Sequence, residues 1–162
     1  MFIVLMGVTG SGKTTIGRKL AESLGWKYFD ADDFHSATNV GKMRRGLPLN
    51  DQDRKPWLES LRRLIQNSLA NNEPAILACS ALKQSYREVL LVDERVKFVY
   101  LKGDYNLIKK RLTARSNHYM NPALLDSQFQ TLEEPEGVLK VEIQHSPDEI
   151  VEIIKTELNI GA

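Results

Sequence analysis

Cysteine is nearly absent from this sequence, since Cys79 is the only one among 162 residues. A lone cysteine excludes an internal disulfide framework, and it favours, without requiring, a protein of the reducing cytoplasm. We expect Cys79 to be a small buried strand residue rather than a reactive thiol. No cluster of histidine and cysteine suggests a zinc site.

An excess of charge and a long apolar run are missing as well. The 22 basic and 21 acidic side chains leave a formal net charge of +1, so the overall charge favours neither nucleic acid nor an anionic membrane as a partner. The apolar start, MFIVLMG, is too short to cross a bilayer and lacks the basic region and cleavage site of a signal peptide. We therefore expect no nucleic acid and no membrane as partners, and one domain over residues 1–162.

Short apolar runs alternate with helical periodicities along the chain. The runs predict five strands: Phe2–Met6, Tyr28–Ala31, Ala75–Cys79, Val96–Leu101 and Val138–Ile143. Strands that alternate with helices form βαβ units, so we expect an α/β fold with a mainly parallel sheet that helices cover on both faces.

Prolines mark three of the expected helix starts. Pro56 is predicted in the first turn of its helix, where the missing N–H costs little. Asn121 and Ser146, each directly before a proline, are the predicted N-caps of two later helices.

The strongest signal is a glycine-rich segment between the first strand and the first helix. It matches the phosphate-binding pattern G-x-x-x-x-G-K-[ST] in full: Gly7, Val8, Thr9, Gly10, Ser11, Gly12, Lys13 and Thr14. The glycines let backbone N–H groups point at phosphate oxygens, and the helix N-terminus adds partial positive charge. We expect Lys13 to contact the β- and γ-phosphates of a nucleotide and Thr14 to bind Mg²⁺. Kinases, GTPases, ATPases and sensors share this motif, so the acceptor side must decide the reaction.

Carboxylates end the second predicted strand, in the run DADDFH from Asp30 to His35. The carboxyl ends of parallel strands face the crevice where ligands bind. If the strand continues, Asp30 and Asp32 point to one side, and one of them can orient an acceptor hydroxyl and take its proton. The alternative is a polar strand end in which one carboxylate caps the next helix.

Cations follow at places that can face an anionic substrate. Arg54 can fork onto a carboxylate or a phosphate, or it belongs to an ordinary charged helix start. Lys83 and Arg87 are one helical turn apart and can face an anion together, or they form a solvated helix face. Ser80 stands where an aspartate often ends the third strand, so metal binding has to rest on Thr14, waters, phosphates and the acids after the second strand.

Arginines and a polar segment follow the fourth predicted strand. Arg111 and Arg115 share a helix face, where like charges repel unless an anion such as a nucleotide phosphate lies between them. The short polar segment 116–120 suits a lid that keeps water from the γ-phosphate. His118 within it is more typical of a solvated loop residue than of a ligand, whereas His35 lies nearer the expected chemistry.

Taken together, the motifs resemble those of gluconokinases of the small P-loop type, which are related to shikimate and adenylate kinases. The matching segments cover nearly the whole chain: GVTGSGKTT (Gly7–Thr15), DADDFH (Asp30–His35), GLPLNDQDRKPWL (Gly46–Leu58), CSALKQSYR (Cys79–Arg87), YLKGD (Tyr100–Asp104), and RLTARSNHYM through SQFQTLEEP (Arg111–Pro135). The phosphate-binding segment is generic, whereas PLNDQDRKPWL and CSALK are much more specific to gluconokinases.

The resemblance implies a P-loop NTPase fold with a five-stranded parallel sheet, helices on both faces and a small helical lid at about 116–133. It also implies a cytoplasmic enzyme, often a homodimer. Its members transfer the γ-phosphoryl group of ATP, with Mg²⁺, to the 6-hydroxyl of D-gluconate, so we expect 6-phospho-D-gluconate and ADP as products.

Residue roles carried over from the resemblance form three groups. Asp32 is the candidate base, and Lys13 and Arg115 are the other catalytic candidates. The nucleotide is expected on Gly7–Thr15, Arg111 and Arg115, with Thr14 on the metal. The sugar acid is expected to contact residues on both sides of the crevice: Asp32, His35, Arg54, Lys83, Arg87 and His118.

Other functions remain open at this point. Another small-molecule kinase, for shikimate or a nucleoside monophosphate, keeps the same core but is expected to differ over Asn50–Trp57. A GTPase switch needs an N-K-x-D-type guanine reader, and the sequence contains none. A non-catalytic ATP-binding module predicts nucleotide binding without turnover that depends on an acceptor.

Overall fold

The computed structural model describes residues 1–114 and 122–161. Within these ranges a single sheet has the strand order β2-β3-β1-β4-β5, and every neighbouring pair is parallel. Its strands are β1 (Phe2–Met6), β2 (Lys27–Asp30), β3 (Ala75–Ala78), β4 (Val96–Lys102) and β5 (Leu139–Glu142). The predicted five-stranded parallel sheet is confirmed, and no strand end differs from its apolar run by more than one residue.

The central strand β1 explains why apolar runs predicted the sheet so well. It pairs with β3 on one side and β4 on the other, and all its residues are buried. A strand covered on both faces needs apolar side chains at every position, not only at alternate ones. The sequence therefore reads as a continuous run there.

Helices fill the segments between the strands of the described chain. They are α1 (Lys13–Leu24), α2 (Ala37–Arg44), α3 (Asp51–Ala70), α4 (Gln84–Leu90), α5 (Tyr105–Ala114), α6 (Pro122–Thr131) and α7 (Pro147–Glu157). A 3₁₀ turn, Ala31–Phe34, follows β2 directly. No helix among the described residues has the length and apolar character to span a membrane.

The alternation of side chains along β1 divides the core into two layers. Phe2, Val4 and Met6 pack on the face covered by α3 and α4. Ile3 and Leu5 pack on the opposite face, which α1, α5, α6 and α7 cover. The prediction of helices on both faces is confirmed.

The start of α3 corrects the prediction for Pro56. Asn50 is the N-cap, and its side chain accepts a hydrogen bond from the Asp53 N–H while the Asp53 carboxylate accepts from the Asn50 N–H. This capping box fixes the helix start at Asp51, so Pro56 lies inside the helix and beyond the first turn. The capping box, and not the proline, therefore determines where the helix begins.

Of the N-caps predicted before the other two prolines, one is confirmed and one lies outside the described residues. Ser146 caps α7 and forms a capping box with Glu149, and Pro147 is the first helical residue, as expected. Helix α6 begins at Pro122. The predicted cap at Asn121 lies outside the described residues.

Candidate active site

The carboxyl ends of the parallel strands bring the predicted site residues to one edge of the sheet. The glycine-rich segment follows β1, Asp30 ends β2, and Ser80 follows β3. The Gly7 N–H donates to the Ser80 carbonyl at 3.3 Å, which ties the start of the phosphate-binding loop to the neighbouring strand end. The loop and the acidic strand end are thus parts of one crevice.

Two glycines of the loop adopt conformations that other residues avoid. Gly10 and Gly12 have φ angles of 84° and 97°. A Cβ atom at Gly10 would also lie 3.0 Å from the side chain of Leu112 in α5. The loop therefore needs glycine both for its backbone turn and for its packing against α5.

The loop presents polar groups suited to an anion. Gly12 is the N-cap of α1 and supplies no side chain, so the first N–H groups of the helix are free for a ligand. The Ser11 hydroxyl is buried and has no hydrogen-bond partner in the part of the chain that the structure describes. Thr14 and Thr15 are exposed on the first turn of α1, and Val8 is buried beneath the loop.

Lys13 folds back over the loop. Its Nζ donates to the carbonyls of Gly7 and Val8 at 2.8 and 3.0 Å. Burial lowers the pKa of Lys13 to about 8, although Cys79, Asp32 and other acids oppose that shift. A nucleotide phosphate at this position would favour the charged ammonium.

The second strand ends earlier than the prediction required. Asp30 is the last residue of β2, and its Oδ1 accepts from the Asp32 N–H at 2.9 Å, which caps the 3₁₀ turn. The expectation that Asp30 and Asp32 share one face of a continuing strand is therefore wrong, and the capping alternative holds for Asp30. A carboxylate that accepts a hydrogen bond only two residues ahead turns the chain out of the extended conformation.

Asp32 nevertheless interacts electrostatically with Lys13 of the glycine-rich loop. Burial raises the pKa of Asp32, the Asp30 carboxylate raises it further, and the positive charge of Lys13 opposes both effects. The two groups thus influence each other electrostatically across the crevice. A carboxylate with a raised pKa is a better proton acceptor once ionised.

His35 has one aromatic neighbour and one amide neighbour. Its ring stacks on Trp57, with centroids 4.4 Å apart and planes within 10°. Asn39 is buried, and its Nδ2 lies 3.4 Å from His35 Nδ1. Burial and the positive charge of Arg54 lower the pKa of His35, so the ring is neutral at pH 7.

A cationic cluster joins the starts of α3 and α4. Lys83 Nζ lies 3.0 Å from Asp51 Oδ1, and the Tyr86 hydroxyl donates to the same carboxylate. Arg54 Nη1 donates to the Tyr86 hydroxyl at 3.2 Å and lies 3.9 Å from Asp51. Hydrogen bonds from Tyr86 and Lys83 lower the pKa of Asp51, so its carboxylate is ionised.

The charge of this cluster follows from its members. Two cations, Arg54 and Lys83, face one anion, Asp51, which leaves one unit of positive charge. Asp51 and Tyr86 were not predicted as site residues. Their sequence neighbours were singled out for charge, but only the fold brings α3 and α4 together.

Arg87 corrects a prediction, since it does not face the crevice with Lys83. It is 5 % exposed, and its donors serve protein acceptors. Nη1 donates to the carbonyls of Ala81 and Leu82, Nη2 to the Glu133 carbonyl, and Nε and Nη2 to the Gln84 side chain. Five bonds occupy the five N–H groups of the guanidinium, which leaves none for a substrate.

The segment predicted as a lid is described only in part. Arg115, His118 and the rest of 116–120 lie outside the described residues. Helix α6, the later part of the predicted lid, packs on the core through Leu125, which is 2 % exposed, and through Phe129 against Tyr105. Arg111 lies in α5 and donates to the Ile143 carbonyl at 2.6 Å.

Comparisons with known proteins agree with this geometry. A family model described as shikimate kinase matches residues 9–152. A probable gluconokinase from Mus musculus is 41% identical, with 96% of each chain covered, and the thermosensitive gluconokinase of Escherichia coli is 43% identical, with 92% of this chain and 82% of its own covered. The chain belongs to the gluconokinase family.

A solved structure supports this placement. The gluconokinase from Sinorhizobium meliloti is 38% identical and superposes with a TM-score of 0.87, with 97% of this chain and 90% of its own covered. The shikimate kinase of Aquifex aeolicus, 20% identical with 98% of this chain and 96% of its own covered, superposes with a TM-score of 0.61, which shows that it has the same fold. Membership of the family makes this chain an ATP-dependent small-molecule kinase with the P-loop NTPase fold.

Proposed function

We propose that the protein is a gluconokinase, which transfers the γ-phosphoryl group of ATP to the 6-hydroxyl of D-gluconate and releases 6-phospho-D-gluconate and ADP. The observation that carries this proposal is that the phosphate-binding loop and the acidic strand end lie at one edge of the sheet, where the loop bonds to the end of β3 and where Asp32 and Lys13 interact electrostatically. A donor phosphate on Lys13 and an acceptor hydroxyl on Asp32 would therefore be neighbours.

The roles of the two residues follow from the bonds that change. The gluconate oxygen forms a bond to the γ-phosphorus while the bond to the bridging oxygen of ADP breaks. In a loose transition state the hydroxyl loses its proton late, so orientation by Asp32 contributes more than its basicity. Asp32 accepts that proton and passes it to water, and Lys13 stabilises the charge on the phosphoryl oxygens.

Mg²⁺ fits the residues at this edge. Thr14 is exposed on the first turn of α1, and Asp30 and Asp32 lie close together, since Asp30 Oδ1 accepts from the Asp32 N–H at 2.9 Å. Thr14 would hold the ion directly, with Asp30 or Asp32 on its waters. Bound with ATP, it would supply charge neutralisation at the β- and γ-phosphates.

The cationic cluster supports an acidic sugar as the acceptor. Its unit of excess positive charge matches the single carboxylate of gluconate. Arg54 lies farther from Asp51 than Lys83 does, so it is the less neutralised of the two cations and the better partner for a substrate carboxylate.

The experiment that tests the function measures ADP release with Mg²⁺-ATP and one acceptor at a time. Gluconate, shikimate, glucose, ribose and AMP form the panel. Turnover with gluconate alone supports the proposal. Turnover with another acceptor would replace the substrate, and nucleotide binding without turnover on any acceptor would favour a binding module.

The role of Arg54 is tested with a substrate that lacks only the carboxylate. Arg54→Ala should raise the KM for gluconate by about 10-fold or more, because a charge-assisted hydrogen bond is lost. The KM for D-glucitol, in which a hydroxymethyl group replaces the carboxylate, should change little. An equal rise for both acceptors would remove Arg54 as the carboxylate partner.

Shikimate is a second candidate acceptor, because the matching family model is that of shikimate kinase. Shikimate is also a hydroxylated carboxylate, so the cationic cluster alone does not separate the two. The acceptor panel does so directly. The homodimer and the cytoplasmic location implied by the resemblance stay predictions, and light scattering tests the first.

A further inference from the structure

Helix α6 contacts the phosphate-binding loop through one side chain. Gln128 Oε1 accepts from the Thr9 N–H at 2.6 Å, and Gln128 Nε2 donates to Thr9 Oγ1 at 2.8 Å. We call this pair of bonds the Gln128 clamp. The two residues are 119 positions apart, and both are half-buried. The clamp is therefore a tertiary contact to the loop, separate from the loop's own backbone turns.

The chemistry of the clamp fixes the direction of each bond. The Thr9 N–H can only donate, so the amide oxygen of Gln128 must face it. The amide nitrogen then faces Thr9 Oγ1, which has to accept. The hydroxyl proton of Thr9 is consequently not used in the clamp, and it remains available to an acceptor elsewhere.

The chain directly after helix α6 is held in place by contacts that do not involve Gln128. The Glu133 N–H donates to the Leu82 carbonyl at 2.8 Å, and Glu133 Oε1 accepts from the Gln84 N–H at 2.7 Å. Leu125, about one turn before Gln128 in α6, packs in the core. The contacts of Leu125 and Glu133 do not depend on Gln128, so loss of the clamp should leave the helix docked.

We propose that Gln128 is a positioning residue for nucleotide binding. It holds the backbone of Thr9 within a loop whose glycines give little stiffness of their own, and it keeps the Thr9 hydroxyl oriented as a donor to a phosphate oxygen of the nucleotide. The proposal rests on the proposed kinase function, since it assumes that this loop binds ATP. It assigns no contact between Gln128 and the substrates.

A hydroxyl that accepts from an amide and donates to a phosphate makes both bonds without competition. If the residue at 128 could only accept, the hydroxyl would turn and donate its proton to that residue instead. The orientation of the hydroxyl is thus set by the donor half of the clamp, and its backbone is set by the acceptor half. The two halves can be separated by substitution.

Four single substitutions and one double variant, Thr9→Val with Gln128→Glu, test the two halves. Gln128→Leu removes both bonds, and Gln130→Leu, an exposed position on the same helix, is its matched control. Gln128→Glu keeps an acceptor for the Thr9 N–H but offers no donor to Thr9 Oγ1. Thr9→Val removes the hydroxyl and keeps the side-chain shape.

The measurements are the Kd of a non-hydrolysable ATP analogue with Mg²⁺, the melting temperature, and the KM values for ATP and gluconate. Gln128→Leu should weaken analogue binding and raise the KM for ATP by about 10-fold or more, with the KM for gluconate within about two-fold. Without the clamp Thr9 is no longer held in place for the phosphate, and the loss of a hydrogen bond from Thr9 to that charged group has this size. Gln130→Leu should match the wild type.

The glutamate variant is compared in two backgrounds. Made in the wild type, Gln128→Glu turns the Thr9 hydroxyl and adds a negative charge. Made in the Thr9→Val protein, which has no such hydroxyl, the same substitution adds only the charge. Its effect on analogue binding should therefore be several-fold larger in the wild type. Equal effects in both backgrounds would overturn the hydroxyl's role, and a Gln128→Leu protein that binds like Gln130→Leu would overturn the clamp itself.

Failure of the proposed function gives a different pattern. If the wild type binds the ATP analogue but does not phosphorylate gluconate, the substrate assignment fails while the binding comparison still tests the clamp. If the wild type does not bind the analogue, the loop is not an ATP site and both proposals fall together.

Discussion

The carboxylate of Asp32 shares its surroundings with a second acid and a buried ammonium group, and this combination gives it two measurable properties. Burial and the neighbouring acids raise the pKa of Asp32, and the positive charge of Lys13 opposes that rise. Its value as a base and its sensitivity to Asp30 follow from the same contacts.

Replacing Asp32 by asparagine should lower kcat by about 10²–10⁴-fold, because the acceptor hydroxyl loses the carboxylate that orients it and takes its proton. Binding of the ATP analogue should weaken far less. Steady-state kinetics and a binding titration measure the two effects. A change confined to KM would reduce Asp32 to a binding residue.

Asp30→Asn should move the acidic limb of the kcat/KM profile to lower pH. The repulsion from Asp30 raises the pKa of Asp32, so its removal lowers that pKa and keeps the base ionised in more acidic solution. The amide oxygen of asparagine can still accept from the Asp32 N–H, which preserves the cap. Asp33→Asn is the control, with a smaller shift expected because Asp33 has the weakest of these effects. A larger shift for Asp33→Asn would contradict the assignment.

Lys13 makes the stability of the ligand-free protein depend on pH in alkaline solution. Burial lowers its pKa to about 8 from the ordinary 10.5. Between these values the unfolded chain binds a proton that the folded chain does not, so the free energy of unfolding rises with pH. Wild type should therefore gain stability relative to Lys13→Met as the pH rises from about 8 to 10.

Denaturant unfolding at a series of pH values measures this difference. Lys110→Met is the control, because Lys110 is an exposed lysine of α5 and should show no such trend relative to the wild type. The same Lys13→Met protein should lose turnover at every pH. If the free energy of unfolding changed with pH in the same way for wild type and Lys13→Met, the lysine would stay charged in the folded protein and the prediction would be wrong.

Arg87 in helix α4 is a buried structural cation, whereas Lys83, one helical turn earlier, is a more exposed cation. Arg87 donates to the carbonyls of Ala81, Leu82 and Glu133, whereas Lys83 pairs with the exposed Asp51. The first holds the segment after β3 in place, and the second belongs to the cationic cluster. Substitutions at the two positions should therefore separate stability from substrate binding.

Arg87→Met should lower the free energy of unfolding by roughly 2–4 kcal/mol, because buried carbonyls lose their donors. Lys83→Met should change stability by less than about 1 kcal/mol, as is usual for an exposed ion pair, and should raise the KM for gluconate. Denaturant melts and kinetics at saturating ATP check both. Equal losses of stability would refute the division of roles.

Sequence patterns predicted those features that depend on neighbours in the chain. The glycine-rich segment and the α7 cap are local arrangements, and both are present as expected. Arg87 and Gln128 differ, because their partners lie on segments that only the folded sheet brings near. Helical spacing placed Lys83 and Arg87 on one face, but it could not show that this face is buried at Arg87.

At the level of the whole sheet, burial explains what could be predicted. The inner strands β1, β3 and β4 are buried almost throughout, so they stand out in the sequence as nearly continuous apolar runs. The edge strands β2 and β5 are only partly buried and mix apolar with charged residues, so their runs are weaker. The order of the strands in the sheet depends on how the helices pack, and apolar runs carry no information on it. The position of the site could not be predicted from apolar runs for the same reason, because the crevice lies where β1 and β3 are neighbours.

The central position of β1 also governs when the chain can fold during its synthesis. Phe2 pairs with Ala75 on one side and with Val96 on the other. Contacts so distant in sequence are slow to form, and a nascent chain that ends before β4 leaves its first strand without one neighbour. The strand that carries the glycine-rich loop therefore gains both of its neighbours only after about the first hundred residues have left the ribosome.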